Sequence, residues 1–333
     1  MKAAIVERYG PPDVVHIGDA PKPVPAPDQV LVRVHATTVN RTDCGELRPH
    51  PLLLGRLLYG LFRPKRRIFG LDFAGVVETV GTNVASFKIG DRVFGMCPSR
   101  SDGAHADYVC VRESGAIAPM PPDRPFGEAV VCEGAFYADA GLSKFGVGKG
   151  HRILVYGASG AIGSAAVQLA KAYGAHVTAV VATRHVEIIR SLGPDCVVDY
   201  TEDDLSQFPD KFDFVFEAVG KESYFRFRPL LKPDGVFLAT DLGPRGENLP
   251  LMLWSKITGN NRVLVPLPDR HSGQTFVRKM KALMESGKFR ALVDRTYPFG
   301  SIAEAYRYVE TGQKTGIVVI DMLADATTPA SEA

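Results

Sequence analysis

Cysteine is scarce in this chain. The 333 residues include five cysteines, Cys44, Cys97, Cys110, Cys132 and Cys196, scattered and odd in number, with no Cys-x-x-Cys pair. That pattern excludes a secreted disulfide framework and fits a reducing compartment. An excess of one charge is also lacking. Lys and Arg total 39 against 37 Asp and Glu, a formal net charge of +2, which argues against a nucleic-acid binder that relies on a broad basic field. No apolar run reaches about 18 residues, so no membrane span is expected. The opening MKAAIVERYG has no apolar core of the kind a signal peptide needs, so a cytoplasmic location is expected. The rest of the composition, 45% hydrophobic and 23% charged, is that of a globular protein. The length suggests about two domains, each large enough to need no metal or disulfide staple.

The first 120 residues read as β-rich. Gln29 to His35 alternates, Ala74 to Val80 is a short apolar run, and Ala104 to Val111 is a further strand candidate, all bounded by turn residues. No long amphipathic helix interrupts them, so a barrel-like β domain is expected. From Glu128 onward the pattern changes. Strands at 152–156, 176–181, 196–198, 212–217, 235–239 and 262–265 alternate with helical segments, among them 161–173 and 186–192. That alternation predicts an α/β fold with a doubly wound parallel sheet. After a helix at 273–286, a strand at 291–298, a helix at 301–310 and a strand at 316–320 return to the first domain. The expected division is 1–123 with 289–323, 124–288, and a flexible tail at 324–333.

The strongest motif is GASGAIG, Gly157 to Gly163, between the strand RILVY and the helix AIGSAAVQLAK. In that context a small-residue loop lets backbone N–H groups meet a pyrophosphate at a helix N-terminus. Ser159, Gly160, Ala161, Ile162 and Gly163 are therefore cofactor-binding candidates. The usual first glycine of the fingerprint falls at Ala158, so the motif is a variant. An NAD-preferring site usually places an acid at the end of the next strand. Here the segment reads Ala182-Thr183-Arg184-His185, with no carboxylate before Glu187. Thr183 and Arg184 suit a 2′-phosphate, so NADPH is the expected cofactor. Tyr200 is a candidate at the adenosine end. Ala218, Val219, Thr240 and Val265, in loops after later strands, are candidates at the nicotinamide end.

These segments, together with GLDFAGVVETVG, KIGDRVFGM, SLGPDCVVDYT and FDFVFEAVG, resemble the medium-chain dehydrogenase/reductase superfamily, and within it the zinc-independent quinone oxidoreductase branch. The resemblance covers about residues 1 to 322. It implies a GroES-like β-rich catalytic domain, a Rossmann NADP-binding domain, an active-site cleft between them, and a homodimer or homotetramer. Zinc-using relatives carry a Gly-His-Glu motif. Here that position reads Gly70-Leu71-Asp72, without the histidine. Cys44, Asp72 and Glu133 could form only a makeshift ligand set lacking imidazole, so no metal is expected. Only Cys97 and Cys110 fall in the stretch where a structural four-cysteine lobe would lie.

A missing metal constrains the chemistry. Zinc lowers the pKa of bound water from about 15.7 to about 7, and an enzyme without that help is better suited to an acceptor that is already electrophilic. A small hydrophobic quinone or α,β-unsaturated carbonyl qualifies, because hydride transfer then needs positioning and a donor to the developing oxyanion. Asn40 is the first candidate donor, since it aligns with the family's active-site asparagine, although Arg41 replaces the usual proline. Tyr59 and Tyr137 are further candidates, with core packing as the alternative reading. The segment 47–69 is both apolar and basic; the resemblance places it beside the cleft mouth, which implies a substrate lid, with an amphipathic surface loop or a membrane-surface element as the alternative readings. Arg63, Lys65, Arg66 and Arg67 are expected to face water or an anion. The rival readings are an alcohol dehydrogenase with an unorthodox metal site and a non-catalytic NADPH-binding protein.

Overall fold

The computed structural model describes the chain except residues 50–51, 98–101, 206–207, 209–210, 259–262, 266–272, 325–329 and 333. Its contacts divide the chain into two units. The first comprises Met1–Glu133, His271–Glu285 and Arg290–Ala333, the second Gly134–Arg270 and Ser286–Phe289.

The first unit contains β1 (Lys2–Val6), β2 (Val15–Asp19), β3 (Gln29–Val39), β4 (Asp72–Val80), β5 (Arg92–Met96), β6 (Tyr108–Arg112) and β7 (Ile117–Pro119). The eleven-residue β3 organises it. Antiparallel β4 runs along most of its length, while β6 pairs with its first half. Val30, Val32 and Val34 point to one face and join Phe73, Val77, Val93, Val109 and Ile117 in a core. Each such side chain contributes about 1.5–3 kcal/mol by leaving water.

Two short helices, α1 (Arg41–Leu47) and α2 (Leu52–Tyr59), lie within this β-rich stretch. α1 forms because Asn40 and Asp43 make a capping box: the Asn40 side chain accepts the Asp43 N–H, and the Asp43 carboxylate accepts the Asn40 N–H. Arg66 also corrects expectation. It does not face water, but is buried in an ion pair with Glu46. Its guanidinium donates at 2.6, 2.7 and 3.1 Å, which ties α1 to the segment after α2. Arg67 is exposed and paired with Glu7.

The second unit is built on β8 (Arg152–Tyr156), β9 (His176–Val181), β10 (Cys196–Asp199), β11 (Phe212–Glu217), β12 (Leu231–Ala239) and β13 (Val263–Leu264). Their order is β10-β9-β8-β11-β12-β13, with every pairing parallel. This is a doubly wound parallel sheet, whose strand order reverses beside β8. The helices are α3 (Phe126–Ala129) in the first unit, α4 (Cys132–Lys144) beginning at the unit boundary, and α5 (Ala161–Ala172), α6 (Val186–Arg190), α7 (Tyr224–Phe227) and α8 (Asn248–Ile257) in the second. Ala165, Ala166 and Ala170 on α5 are buried, and such small side chains allow close helix–sheet packing.

The chain then adds α9 (Gly273–Glu285), β14 (Val293–Pro298), α10 (Ile302–Glu310), β15 (Ile317–Asp321) and β16 (Ser331–Glu332) to the first unit. α9 packs on β7, whereas the sequence reading carried the second domain through residue 288. β15 pairs with the end of β3, and α10 buries Ile302, Ala305, Tyr306 and Val309. The tail is not free throughout, because Ser331 and Glu332 pair antiparallel with β14. Among the described residues no helix is long and apolar enough to cross a membrane.

Candidate active site

The loop after β8 turns at Gly157, whose φ of +76° excludes most side chains. A Cβ there would also lie 2.3 Å from Cγ2 of Val219. At Gly163 a Cβ would fall 2.1 Å from the Gly157 carbonyl oxygen, so the helix approaches its strand only because the side chain is absent. Gly160 differs. A Cβ on it would meet nothing nearer than Gly157 O at 3.9 Å, so the space above it is open. Gly160 is also the N-cap of α5, and among the described residues no side chain caps the helix. The N–H groups of Ala161, Ile162 and Gly163 thus begin an uncapped helix beside open space. The residues present fit a dinucleotide pyrophosphate.

Thr183 and Arg184 form a short 3₁₀ turn after β9, and both are exposed. Arg184 Nε donates to His185 Nε2 at 3.0 Å and has no carboxylate partner among the described residues. Glu187, the nearest acid in sequence, pairs with Arg190. Thr183 Oγ1 lies 2.6 Å from Thr201 Oγ1. Thr201 and Thr183 hydrogen-bond Asp199 and hold its carboxyl below the usual range. Tyr200 is 44% exposed, with its ring 6.0 Å from that of Tyr156. Ala218, Val219, Thr240 and Val265 all follow C-terminal strand ends of the same sheet, while Pro266 and Leu267, in the last of these loops, lie outside the described residues.

One residue of this region was missed from sequence. Glu217 ends β11 and is fully buried. Its carboxylate accepts the N–H of Val219 at 2.9 Å and that of Gly220 at 2.9 Å. The Thr240 N–H and hydroxyl both donate to its backbone carbonyl. Burial pushes the carboxyl up to about 7, against the pull of those N–H donors, and the charges of Glu222 and Asp241 push the same way. An acid just before a turn whose glycine has φ +76° was the available signal.

In the first unit a cluster of buried acids surrounds Asn40. Asn40 is 4% exposed. Its Nδ2 donates to Thr38 Oγ1 at 2.8 Å, and its backbone N–H donates to Asp43 Oδ2 at 2.8 Å. Asp43 Oδ1 accepts the Gly70 N–H at 3.1 Å. Asp72 Oδ1 accepts the Glu133 N–H at 2.8 Å, and its Oδ2 accepts from Thr38 Oγ1 at 3.3 Å. Burial raises the Asp43 carboxyl to about 6 and the Asp72 carboxyl to about 7. Glu133 is raised well above the usual range, by burial first and then by the charges of Asp43 and Asp72. Its Oε2 is buried without a hydrogen-bond partner among the described residues.

Tyr59 is half-buried in the same neighbourhood, with Glu46, Arg66 and Glu133 as its charged neighbours. Tyr137 belongs to the second unit, on α4. His105 is a core residue: it is 1% exposed, with Nε2 at 2.8 Å from the Thr38 carbonyl oxygen and Nδ1 at 3.3 Å from the Tyr306 hydroxyl. Burial lowers its pKa to about 4, so it stays neutral.

The makeshift metal set does not fit a zinc ion. Both Asp72 oxygens are engaged by Glu133 and Thr38. Burial drives the Cys44 thiol far above its usual range, which opposes the thiolate a metal requires. Among the described residues no group of three His, Cys, Asp or Glu side chains is placed to hold a metal.

Residues 26–122 match the alcohol dehydrogenase GroES-like domain family, and residues 192–320 match the zinc-binding dehydrogenase family. The chain is 32% identical over 338 residues to a 2-methylene-furan-3-one reductase of Solanum lycopersicum, covering 96% of this chain and 79% of that protein. It is 32% identical over 336 residues to an NADPH-dependent alkenal/one oxidoreductase, chloroplastic, of Arabidopsis thaliana, covering 96% and 79%. A quinone oxidoreductase structure from Coxiella burnetii superposes with a TM-score of 0.83 at 25% identity, covering 97% of this chain and 99% of that one. With its paired domains and its nucleotide loop, the chain belongs to the medium-chain dehydrogenase/reductase superfamily, as an oxidoreductase of the quinone oxidoreductase-like branch that works with a nicotinamide cofactor.

Proposed function

We propose that the protein is a zinc-independent, NADPH-dependent reductase of quinones or α,β-unsaturated carbonyl compounds. The observation that carries this reading is the fate of the zinc-ligand positions. Leu71 stands where zinc-using relatives carry histidine, and Asp72 is engaged within the protein. A site without a Lewis acid favours an acceptor whose conjugation already makes it electrophilic.

Bound NADPH supplies the hydride. The uncapped N–H groups of α5 would hold the pyrophosphate, and Arg184 with Thr183 would hold the 2′-phosphate. The loops at 218–220, 240 and 265 line the nicotinamide end. Asn40 donates an N–H to the acceptor's carbonyl oxygen as negative charge develops there. The alkenal/one and furanone reductase relatives support this acceptor class. We also infer assembly into a homodimer or homotetramer. The exposed Leu253, Trp254 and Ile257 of α8, beside the edge strand β13, support it.

The test is steady oxidation of NADPH with a simple quinone and a simple enone, each with and without a strong chelator. Turnover insensitive to the chelator is expected. No turnover with any quinone or enone overturns the reading in favour of a non-catalytic NADPH-binding protein. Stoichiometric zinc in the purified protein, with activity lost on chelation, replaces it with a metal-dependent alcohol dehydrogenase.

A further inference from the structure

We propose that Asp72 is a positioning residue that fixes the polarity of the Asn40 side-chain amide through the hydroxyl of Thr38. This inference rests on the donor role given above to Asn40.

A side-chain amide has two nearly isosteric ends, and only the nitrogen end can donate to a carbonyl oxygen. Something must therefore decide which end of Asn40 faces which neighbour. Thr38 Oγ1 sits between Asn40 Nδ2, at 2.8 Å, and Asp72 Oδ2, at 3.3 Å. A hydroxyl has a single proton to give. An ionised carboxylate only accepts, so the Thr38 proton goes to Asp72. The hydroxyl lone pairs are left for Asn40, which must then present its nitrogen to Thr38. The amide oxygen is engaged on the other side by the Asp43 N–H in the capping box. The second N–H of Asn40 has no partner among the described residues, and it is the one available to a substrate oxygen.

The bridge is rigid at each end. Asp72 and Thr38 are both essentially fully buried. Asp72 is clamped through Oδ1 by the Glu133 N–H at 2.8 Å, and its backbone carbonyl accepts the Thr37 hydroxyl at 2.6 Å. The Thr38 carbonyl is held by His105 Nε2 at 2.8 Å. If Asp72 cannot accept, the Thr38 hydroxyl is free to donate to the amide oxygen of Asn40. That competes with the Asp43 N–H and favours the flipped amide, which points a carbonyl at the substrate.

The experiment is a set of single and paired variants assayed above about pH 8, where the Asp72 carboxyl is ionised. Asp72→Asn and Thr38→Val are each expected to lower kcat about 100-fold, the lower end of the cost of a lost oxyanion donor. The dissociation constant for NADPH, read by fluorescence, should stay within about twofold. Thr38→Ser keeps the hydroxyl and is expected to restore kcat. In an Asn40→Ala background, neither Asp72→Asn nor Thr38→Val should lower kcat further, a non-additivity that general destabilisation does not produce. Thermal melts and NADPH binding identify any variant that fails to fold, and Thr38→Val and Asp72→Asn stand in for one another. If Asn40→Ala lowers kcat but Thr38→Val and Asp72→Asn do not, or if they act equally in both backgrounds, the positioning role is overturned and the donor role survives. If Asn40→Ala leaves kcat unchanged, the donor role itself falls and the positioning role with it.

Discussion

Replacing Glu217 with glutamine exchanges a buried titrating group for a neutral group of the same shape, and the effect on stability depends on pH in a calculable way. Glu217 is fully buried, and no cation is among the groups that shift its pKa. Burial raises its carboxyl from the ordinary 4.5 to about 7. Between those values the folded protein holds a proton that the unfolded chain has already released. Stability from this group is therefore fully present below about pH 4.5 and is lost as pH rises through about 7. At about 1.36 kcal/mol for each tenfold change in proton affinity, the loss approaches about 3 kcal/mol. Glutamine has no proton to lose. One of its ends still accepts the Val219 N–H, so at acid pH the variant and the parent should be nearly equal.

The assay is urea unfolding of both proteins between about pH 5 and pH 8. Trp254, the only tryptophan, lies in the same unit as Glu217 and reports on its unfolding. The expected result is a small difference near pH 5 that grows until the Glu217→Gln protein is more stable by about 3 kcal/mol near pH 8. Parallel profiles would refute the reasoning, because they would mean that Glu217 titrates alike in the folded and unfolded chains.

Arg184→Ala should weaken NADPH binding by about 1.5–3 kcal/mol, the value of hydrogen bonds to a charged group, and leave NADH binding unchanged. Fluorescence titration with both cofactors checks this, and an unchanged ratio counts against the 2′-phosphate role. Glu46→Ala strands the buried guanidinium of Arg66 and should cost about 3–5 kcal/mol in denaturant unfolding. A cost under about 1 kcal/mol would mean that the pair is solvated in solution. Gly163→Ala and Gly160→Ala should separate packing from ligand approach. The first drives a Cβ to within 2.1 Å of Gly157 O and should cost about 1–3 kcal/mol of apo stability, while the second meets open space and should weaken NADPH binding alone. Equal effects on apo stability would contradict the geometry.

The β8–α5–β9 unit was legible in sequence because its signals agree: RILVY is continuously apolar, GASGAIG is too small to be anything but a tight loop, and the next segment has helical periodicity. α1 was not legible. Arg-Thr-Asp-Cys-Gly-Glu-Leu contains a glycine and no apolar stripe, and its helix rests on a capping box and on an ion pair to a residue twenty positions away. Glu217 was hidden for a related reason. FDFVFE resembles a buried strand ending in a surface acid, and only the turn back through Val219 and Gly220 encloses the carboxylate. The Arg66 reading failed because a run of four basic residues in five suggests a solvated face, while the partner that holds one of them in the interior is Glu46, in another element.

The buried acids in the two units share an architecture that local propensity does not reveal. Glu217 accepts the N–H groups of Val219 and Gly220, Asp43 those of Asn40 and Gly70, and Asp72 that of Glu133. In each case a carboxylate gathers backbone from the segment that carries a candidate site residue. Hydrogen bonds to a charged group return about 1.5–3 kcal/mol each, while removing the charge from water costs several kcal/mol. The terms nearly cancel, and the raised pKa values of Asp43, Asp72 and Glu217 show burial winning in all three. Net stability therefore does not explain why these positions are acids. An amide of the same shape would stabilise the fold at neutral pH, yet it would bring a second donor to face N–H groups that need an acceptor. The acids account for the geometry of the loops that carry the candidate site residues, at a cost in stability, which is the balance expected of a working site.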